Sequence, residues 1–273
     1  HIDRLFYGLR ILEIEIPYSK SEIIEICLRT QEINSDAFES EDEHRLMIDI
    51  SRGTLGIYRQ IQNLWHEPNV IVADFPLKWT VAGMGVLFDK GINAVITSQR
   101  AIPSELLDPK IKNRSRIHYL RANIEASKFV GEDNWALLLD PDGNVAEGSG
   151  DNFFISKNKT IITPPGKNIL RGISREYVIN ELSPQLGLVA IEKDIDLYDV
   201  YTADEAFMTG TPFCMLPVTR INSVPIGKGL RGPVYSELLS QWSKNVGVNI
   251  ENQIKLWNES IETIGITPYK FKK

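Results

Sequence analysis

The run at residues 135–139 (WALLL) is the feature that most limits what this chain can fold into. Consecutive apolar residues without polar alternation predict a strand that is buried on both faces. The next residues, DPDGN, are turn formers and indicate a reversal into another strand that contains Val145. A hydrophobic fraction of 42% supplies the sizeable core that such a buried strand needs.

Strands and helices follow one another in mixed order along the rest of the chain. Because there is no regular strand–helix–strand alternation, this order predicts the α+β class. The other predicted strands lie at 45–50, 69–73, 93–97, 152–155, 160–163, 188–192, 205–210, and in a pair through Val218 and Ile226. The predicted helices lie at 1–12, after a capping box of Ser19 and Glu22, after a candidate cap at Ser174, and at 233–245.

Residues 101–109 (AIPSELLDP) contain proline and show no periodicity, which suits a linker. A length of 273 residues is sufficient for two domains. We therefore expect a small N-terminal domain at 1–104, a linker with a lysine-bearing strand at 105–112, and a large domain at 113–273.

Composition argues against several classes of function. A net charge of −6 and a pI near 5.4 argue against nucleic acid as a partner. The four histidines lie in no ligand spacing, so no catalytic metal is expected. No apolar run reaches the roughly 18 residues of a membrane-spanning helix. Cys27 and Cys214 are far apart in sequence and indicate free thiols in a reducing compartment, which we take to be the cytoplasm.

Two lysines, Lys110 and Lys112, lie in a segment predicted to be extended, just before a helical run. That run has apolar residues at Ile117, Leu120 and Ile124. A lysine held at the end of a strand and partly desolvated becomes a neutral amine near pH 7 and can form a Schiff base. Most lysines in such segments are solvated surface charges, so this interpretation depends on the rest of the sequence.

Three further segments have the residue types of a binding site. RGIS at 171–174 places Ile173 and Ser174 at a helix start, which favours a phosphate, although an ordinary helix cap has the same sequence. TGTP at 209–212 either offers the Thr211 hydroxyl to the same anion or makes a turn. In AEGSGDN, Glu147 follows a buried strand, and its carboxylate needs a partner, either a protonated ring nitrogen or a structural arginine.

Three glycine patterns do not point to a function. GKGLRG at 227–232 matches the GxGxxG pattern of dinucleotide-binding proteins, but a short proline-containing piece precedes it and Pro233 follows. A turn-rich loop is therefore predicted there. PPGKN lacks the upstream glycine of a P-loop, and GSG at 148–150 is not the GxSxG elbow.

Taken together, five segments in order resemble the class IV (fold type IV) pyridoxal-phosphate aminotransferases. This family includes branched-chain, D-amino acid and (R)-amine transaminases and aminodeoxychorismate lyase. The segments are HIDRL, IKNRSRIHYLRANIEA, ALLLDPDGNVAEGSGDNFF, ITPPGKNILRGISREYV, and the stretch from ADEAFMTGTP to GLRGP. The resemblance implies a two-domain α+β fold with a small α/β domain, a larger domain with a mixed, barrel-like sheet, and a homodimer. The family's first strands precede HIDRL, so the small domain is expected to lack them.

The resemblance also implies roles for individual residues. Lys112 would form the Schiff base with pyridoxal 5′-phosphate and act as general acid and base, and its spacing to the EA pair at 125–126 favours it over Lys110. Glu147 would keep the pyridine nitrogen protonated, and Tyr119 would lie near the ring hydroxyl. The implied phosphate ligands are Arg4, the N–H groups of Ile173 and Ser174, and the hydroxyl of Thr211.

The function implied by the resemblance is transfer of an amino group between an amino acid, branched-chain or related, and a 2-oxo acid. The alternatives are a lyase similar to aminodeoxychorismate lyase, a D-amino acid or (R)-amine transaminase, and a protein that keeps the fold and cofactor without turnover. Arg59 and Arg45 are candidates for binding the substrate carboxylate, and a surface role is the competing interpretation for each.

Overall fold

The computed structural model of the chain describes residues 1–40, 42–58 and 66–264. Contacts within the chain group it into two compact units, residues 1–80 with the segment from Ser260, and residues 81–259. Residues 81–104, expected in the small N-terminal domain, are thus grouped with the second unit. The domain division around 105–112 stays a prediction.

The first unit pairs helices with a short antiparallel sheet. Its main elements are α1 (Ile2–Ile11), α2 (Lys20–Asn34), β1 (His44–Ser51), β2 (Asn69–Pro76) and α3 (Lys78–Val81, whose last residue is in the second unit), with 3-10 turns at Ser35–Ala37 and Gly56–Tyr58 and a last short helix at Ile261–Ile264. The predicted capping box is confirmed, since Ser19 N–H donates to Glu22 Oε2 at 2.7 Å and Glu22 N–H donates to Ser19 Oγ at 3.3 Å. β1 and β2 pair antiparallel along their whole lengths, which confirms both predicted strands.

Within the described residues, the second unit is built on one sheet of nine strands. They are β3 (Ile92–Ile96), β4 (Asn134–Leu139), β5 (Val145–Gly148), β6 (Asn152–Lys157), β7 (Thr160–Thr163), β8 (Val189–Glu192), β9 (Glu205–Gly210), β10 (Cys214–Ile221) and β11 (Val224–Pro225). Six strands close into a ring in the order β3–β4–β5–β6–β9–β10, because β10 pairs with both β9 and β3. β7 and β8 extend the sheet from β6, and β11 extends it from β10. The predicted α+β class and barrel-like core are confirmed.

β4 is the covered strand that the apolar run at 135–139 predicts. Residues 136–139 are at most 4% exposed, and β4 lies between β3, which is parallel to it, and β5, which is antiparallel. The turn after β4 is held by Asp140, whose carboxylate accepts the N–H groups of Asp142 at 3.0 Å and Asn144 at 2.9 Å. This turn fixes where β5 begins.

Along the sequence, the helices of the second unit precede, separate and follow its strands. They are α4 (Leu87–Lys90), α5 (Ile117–Ser127), α6 (Ile173–Tyr177), α7 (Ser183–Gln185), α8 (Leu197–Tyr201), α9 (Pro233–Val246) and α10 (Ile250–Glu259), with a π-helical turn at Val178–Leu182 between α6 and α7 and a 3-10 turn at Ala82–Met84. α9 confirms the predicted helix at 233–245, although that helix is not the terminal one, and Gly247, whose φ of 74° is left-handed, caps its end. α10 follows it and is absent from the predicted elements; it buries Ile254 and Trp257.

The prediction of a strand around the two lysines is wrong. Residues 101–116, all of them described, form turns, bends and irregular backbone with no strand. The Asp108 carboxylate accepts the N–H of Lys110 at 2.9 Å, and the Asp108 carbonyl accepts the N–H of Ile111 at 3.1 Å. An aspartate that binds its own following backbone closes a local turn, so this segment does not pair with the sheet.

α5 packs against the sheet through alanines. Ala122 and Ala126 are 0% and 1% exposed and join an apolar cluster with side chains of β3, β4 and β5. In contrast, Ile117, Leu120 and Ile124 are 71%, 56% and 46% exposed. The spacing of the large apolar residues predicts the helix correctly, but the buried face is the one with small side chains.

The segment GKGLRG forms the turn between β11 and α9, as predicted. Gly227 and Gly229 have φ values of 54° and 69°, in the left-handed region that favours glycine. Gly232 precedes α9 and lies so close to Glu205 that an added Cβ would be 1.9 Å from the Glu205 Cδ. Gly227 and Gly229 therefore allow the turn, and Gly232 allows the start of α9 to approach Glu205 closely.

Candidate active site

A buried carboxyl group, that of Glu147, lies near the end of β5 where the sheet turns into β6. Glu147 is 5% exposed and stands opposite Asn152 across the hairpin. The connection is tight, because the N–H of Gly148 donates to the carbonyl of Asp151 at 3.0 Å. The predicted position of an acid at the end of a buried strand is thus observed.

Three donors from three different segments converge on the Glu147 carboxylate. The Tyr119 hydroxyl of α5 donates to Oε1 at 2.7 Å. The Asn152 side-chain amide of β6 donates to Oε2 at 3.2 Å, and the Leu170 backbone N–H donates to the same oxygen at 3.0 Å. A carboxylate that accepts several such bonds is stabilised in its ionised form.

Burial and hydrogen bonding act on the pKa of Glu147 in opposite directions. Burial raises the pKa of Glu147 to about 7. The hydrogen bonds from Tyr119 and Leu170 and the positive charges of Lys112 and Arg116 lower this pKa but do not cancel the effect of burial. An acid that titrates near neutral pH in a buried site is a functional candidate, because ordinary glutamates titrate near 4.3.

Tyr119 is fixed between the acid and a guanidinium. Its hydroxyl binds Glu147, and burial, followed by the charge of Glu147, raises the pKa of Tyr119 well above its ordinary value, so the phenol stays a donor. The Arg116 guanidinium carbon lies 4.8 Å from the centre of the Tyr119 ring, and Arg116 Nη2 donates to the Ser149 carbonyl in the hairpin turn. The observed partner of the Tyr119 hydroxyl is therefore the Glu147 carboxylate. The predicted position of Tyr119 near the ring hydroxyl of the cofactor stays a prediction.

The two candidate lysines differ in their surroundings. Lys110 Nζ forms an ion pair with Asp108 at 2.9 Å and donates to the Lys167 carbonyl at 3.3 Å. Lys112 is exposed, and its positive charge lowers the pKa of Glu147. Lys112 is therefore the lysine whose charge reaches the buried acid, which supports its choice over Lys110.

The predicted anion-binding groups of the second unit lie at the same end of the sheet as the acid. α6 begins at Ile173, and its cap Gly172 is so close to Asn152 that an added Cβ would be 2.1 Å from the Asn152 Oδ1. Across the sheet, Asn152 is also paired with Thr209 of β9, so Thr211 follows two residues later in the turn after β9. The fold thus brings the helix start and the β9 turn to the residue that binds Glu147.

The prediction of Ser174 as a helix cap is wrong, because Gly172 holds that position without a side-chain bond. Ser174 is buried in the first turn of α6. Its predicted role as a phosphate ligand through its backbone N–H does not depend on the cap and stays a prediction.

The predicted arginines belong to the first unit or lie outside the described residues. Arg4 lies on α1, and Arg45 lies on β1, where its Nη1 donates to Thr80 Oγ1. Arg59 lies outside the described residues. Their roles toward phosphate or substrate stay predictions.

The sequence interpretation missed three members of this site, Arg116, Asn152 and Leu170. A signal for Asn152 was present, because two glycines between an acid and the pair DN favour a tight hairpin that sets residue 152 opposite 147. No local pattern indicates Arg116 or Leu170, since their contacts depend on how α5 and the segment before α6 fold against the sheet.

Comparisons with known proteins agree with this geometry. The sequence model of the family described as "Amino-transferase class IV" matches residues 1–221. A putative branched-chain-amino-acid aminotransferase of Methanocaldococcus jannaschii is 35% identical over 241 residues, which cover 87% of this chain and 78% of the relative. The branched-chain-amino-acid aminotransferase of Pseudomonas aeruginosa is 33% identical over 239 residues, covering 87% of this chain and 74% of the relative.

Solved structures with the same fold are also aminotransferases. The crystal structure of Escherichia coli branched-chain amino acid aminotransferase has a TM-score of 0.77 and 25% identity, and the match covers 89% of this chain and 77% of that one. The branched-chain amino acid aminotransferase of T.th. with pyridoxamine 5′-phosphate has a TM-score of 0.76 and 26% identity, with 95% of this chain and 80% of that one covered. The expected fold type IV architecture is confirmed.

Substitution of Tyr119 by Phe should raise the pKa of Glu147 above its value of about 7. The variant keeps the aromatic ring but removes the hydroxyl that stabilises the ionised carboxylate. Loss of one hydrogen bond to a charged group should make the ionisation constant of Glu147 about tenfold smaller. Carbon-13 NMR of glutamate-labelled protein gives the midpoint. Tyr198→Phe, which changes an exposed tyrosine, should leave the midpoint alone, and an unchanged midpoint in Tyr119→Phe would contradict the assignment.

Proposed function

The chain belongs to the class IV aminotransferases, and on that premise we propose that it is a branched-chain aminotransferase with pyridoxal 5′-phosphate as cofactor. It transfers the amino group between a branched-chain amino acid and a 2-oxo acid. The observation that carries the proposal is the buried Glu147 carboxyl, held by three donors beside Lys112 and the start of α6. The branched-chain choice is supported by the names of the similar proteins.

The residues present fit this cofactor, which has an aldehyde, a pyridine nitrogen and a phosphate. Glu147 offers a buried carboxylate for the nitrogen, and Lys112 offers a primary amine for the aldehyde. The backbone N–H groups at the start of α6 and the Thr211 hydroxyl suit the phosphate. When bound, the cofactor supplies an electron-accepting ring that stabilises the charge left at an amino acid Cα after its proton is removed.

Glu147 acts through its charge and its fixed position. The bonds from Tyr119 to one carboxylate oxygen and from Asn152 and Leu170 to the other hold the carboxylate in a fixed orientation. An ionised carboxylate in a buried site favours a protonated pyridine nitrogen, because a charge pair is strong where water is excluded. Its role is therefore to keep the ring nitrogen protonated.

Lys112 acts as the base and acid of the reaction. The Nζ of Lys112 would remove the proton from the substrate Cα and deliver it to C4′, the cofactor carbon that carries the aldehyde. The same group serves both halves of the reaction, with the 2-oxo acid reversing the sequence of proton movements. Lys112 is preferred to Lys110 because its charge acts on the buried Glu147 carboxyl.

The proposed phosphate ligands of the second unit are backbone donors and a hydroxyl. The N–H groups of Ile173 and Ser174 lie in the first turn of α6, where the four first N–H groups of a helix have no partner within it. Arg4, which the resemblance implies as a charged phosphate ligand, stays a prediction. Thr211 in the turn after β9 adds a hydroxyl donor.

The competing functions are less well supported. The similar proteins are named as branched-chain aminotransferases, which favours transamination over a carbon–carbon lyase or an (R)-amine or D-amino acid transaminase. Arg45 donates to Thr80, which leaves Arg59 as the other candidate for the substrate carboxylate. A role for either stays part of the proposal.

The proposed assembly is a homodimer in the cytoplasm. α5 exposes Ile117, Leu120 and Ile124 along one side, an apolar surface that a second copy could cover. Both Cys27 and Cys214 are free thiols, which suits a reducing compartment. Among the described residues, no helix has the length and apolar character needed to cross a membrane.

Substitution of Lys112 by Ala should abolish the visible absorption of lysine-bound cofactor, and Lys110→Ala should preserve it. Lys112 is the lysine whose charge reaches Glu147, whereas Lys110 is paired with Asp108. The two variants form a matched pair two residues apart, read by absorption after incubation with pyridoxal phosphate. The reverse pattern would exclude Lys112 as the covalent lysine.

L-Leucine, L-isoleucine and L-valine should each convert the bound cofactor to its pyridoxamine form, and 2-oxoglutarate should convert it back. The measurement is the change in absorption of the loaded protein on addition of each amine in turn. D-Amino acids and (R)-amines are tested for comparison. If only these compounds convert the bound cofactor to its pyridoxamine form, or if aminodeoxychorismate releases pyruvate without an acceptor, the branched-chain proposal is overturned.

A further inference from the structure

A second carboxyl group, that of Asp151, is buried in the turn between β5 and β6. Asp151 is 9% exposed, and its Oδ1 is fully buried without a hydrogen-bond partner. That oxygen lies against Gly148, where an added Cβ would be only 2.0 Å away. Buried polar atoms without a partner are rare and costly, so this one calls for an explanation.

The two acids of the hairpin differ in the donors that they receive. Glu147 accepts from the Tyr119 hydroxyl, the Asn152 amide and the Leu170 N–H. Asp151 receives a single hydrogen bond that favours its ionised form among the described residues, from the backbone N–H of Gly150. Donors favour the ionised form of an acid, and a buried oxygen without a donor favours the neutral form.

The charges that face this turn come from both sides of the site. The positive charge of Arg116, just before α5, lowers the pKa of both acids, and that of Lys112 lowers the pKa of Glu147. The negative charges of both acids raise the pKa of Tyr119 on α5. Burial raises the pKa of Asp151, the negative charge of Glu147 raises it further, and Arg116 opposes both. Two ionised carboxylates in one buried turn are unfavourable, so the pair retains a proton near neutral pH.

We propose that Asp151 is a positioning residue that carries the proton retained by this pair of acids, so that Glu147 remains ionised toward the cofactor's ring nitrogen. The distribution of donors and the partnerless Oδ1 decide which acid is neutral. The part about the ring nitrogen rests on the proposed function, but the location of the proton does not.

The proposal predicts a pH dependence of stability with a definite sign. The folded pKa of Asp151 is raised to about 7, whereas an unfolded aspartate titrates near 3.9. The folded state therefore binds the proton more tightly, and this contribution to stability, complete below about pH 4, is lost as the pH rises to about 7. Asp151→Asn, which mimics the neutral acid, should remove this part of the fall in Tm.

The direct test is infrared spectroscopy of the full chain, free of cofactor and loaded with pyridoxal phosphate. Between about pH 6 and 8 ordinary carboxyls are ionised, so a carbonyl band of a protonated acid reports a raised pKa. The wild type should show this band at the acid end of the range and lose it toward the alkaline end, in both forms of the protein. Asp151→Asn should show a clearly smaller band in the cofactor-free protein, where only Glu147, whose pKa burial also raises to about 7, contributes. In the loaded protein, where the ring nitrogen favours ionised Glu147, the variant should lack the band.

Two variants separate the two acids. Glu147→Gln should keep the band but move its midpoint to lower pH, because the charge that raises the pKa of Asp151 is gone. Asp142→Asn, in the exposed turn between β4 and β5, is the control and should behave as the wild type. Absence of the band in the wild type, or its loss in Glu147→Gln together with a band of undiminished height in Asp151→Asn, would overturn the proposal.

The wild-type spectrum does not depend on the folding of a variant, so the proposal stays testable if Asp151→Asn is unstable. Failure of the proposed function would show separately. In that case pyridoxal phosphate or the branched-chain amino acids would produce no change in absorption, whereas the infrared band of the cofactor-free chain would be unaffected.

Discussion

The buried carboxylate of Glu147 is the group on which the rest of the site depends. Placing an ionised acid at 5% exposure is costly unless donors replace the lost water. Here the donors come from α5, from β6 and from the segment before α6, so that one side chain ties three parts of the second unit to β5. The three hydrogen bonds that stabilise the buried carboxylate therefore also hold these segments of the site together.

The closed ring of strands explains why these segments meet. β9 pairs with both β6 and β10, which closes the sheet and sets Thr209 beside Asn152. Asn152 contacts Glu147 on one side and the start of α6 on the other, where Gly172 leaves room for its side chain. The acid, the helix start and the β9 turn are thus arranged around one asparagine.

Local sequence pattern predicted the parts of the site that are made within one hairpin. The apolar run at 135–139 and the glycines after Glu147 encode a buried strand and a tight turn, so the acid's position could be read directly. The lysine segment was predicted as an extended strand, but Asp108 accepts hydrogen bonds from the backbone that follows it and closes a turn instead. The contacts of Arg116 and Leu170 arise from the packing of segments distant in sequence, for which no local pattern exists.

The most direct test of this account is the rate at which Glu147→Gln removes deuterium from the Cα of labelled L-leucine in a single turnover. Glutamine keeps the shape of the side chain but cannot hold the ring nitrogen protonated, so the rate should fall by about a hundredfold or more while cofactor remains bound. Glu181→Gln, an exposed change in the π-helical turn, should match the wild type. A Glu147→Gln rate equal to that of the wild type would contradict the central role of this acid.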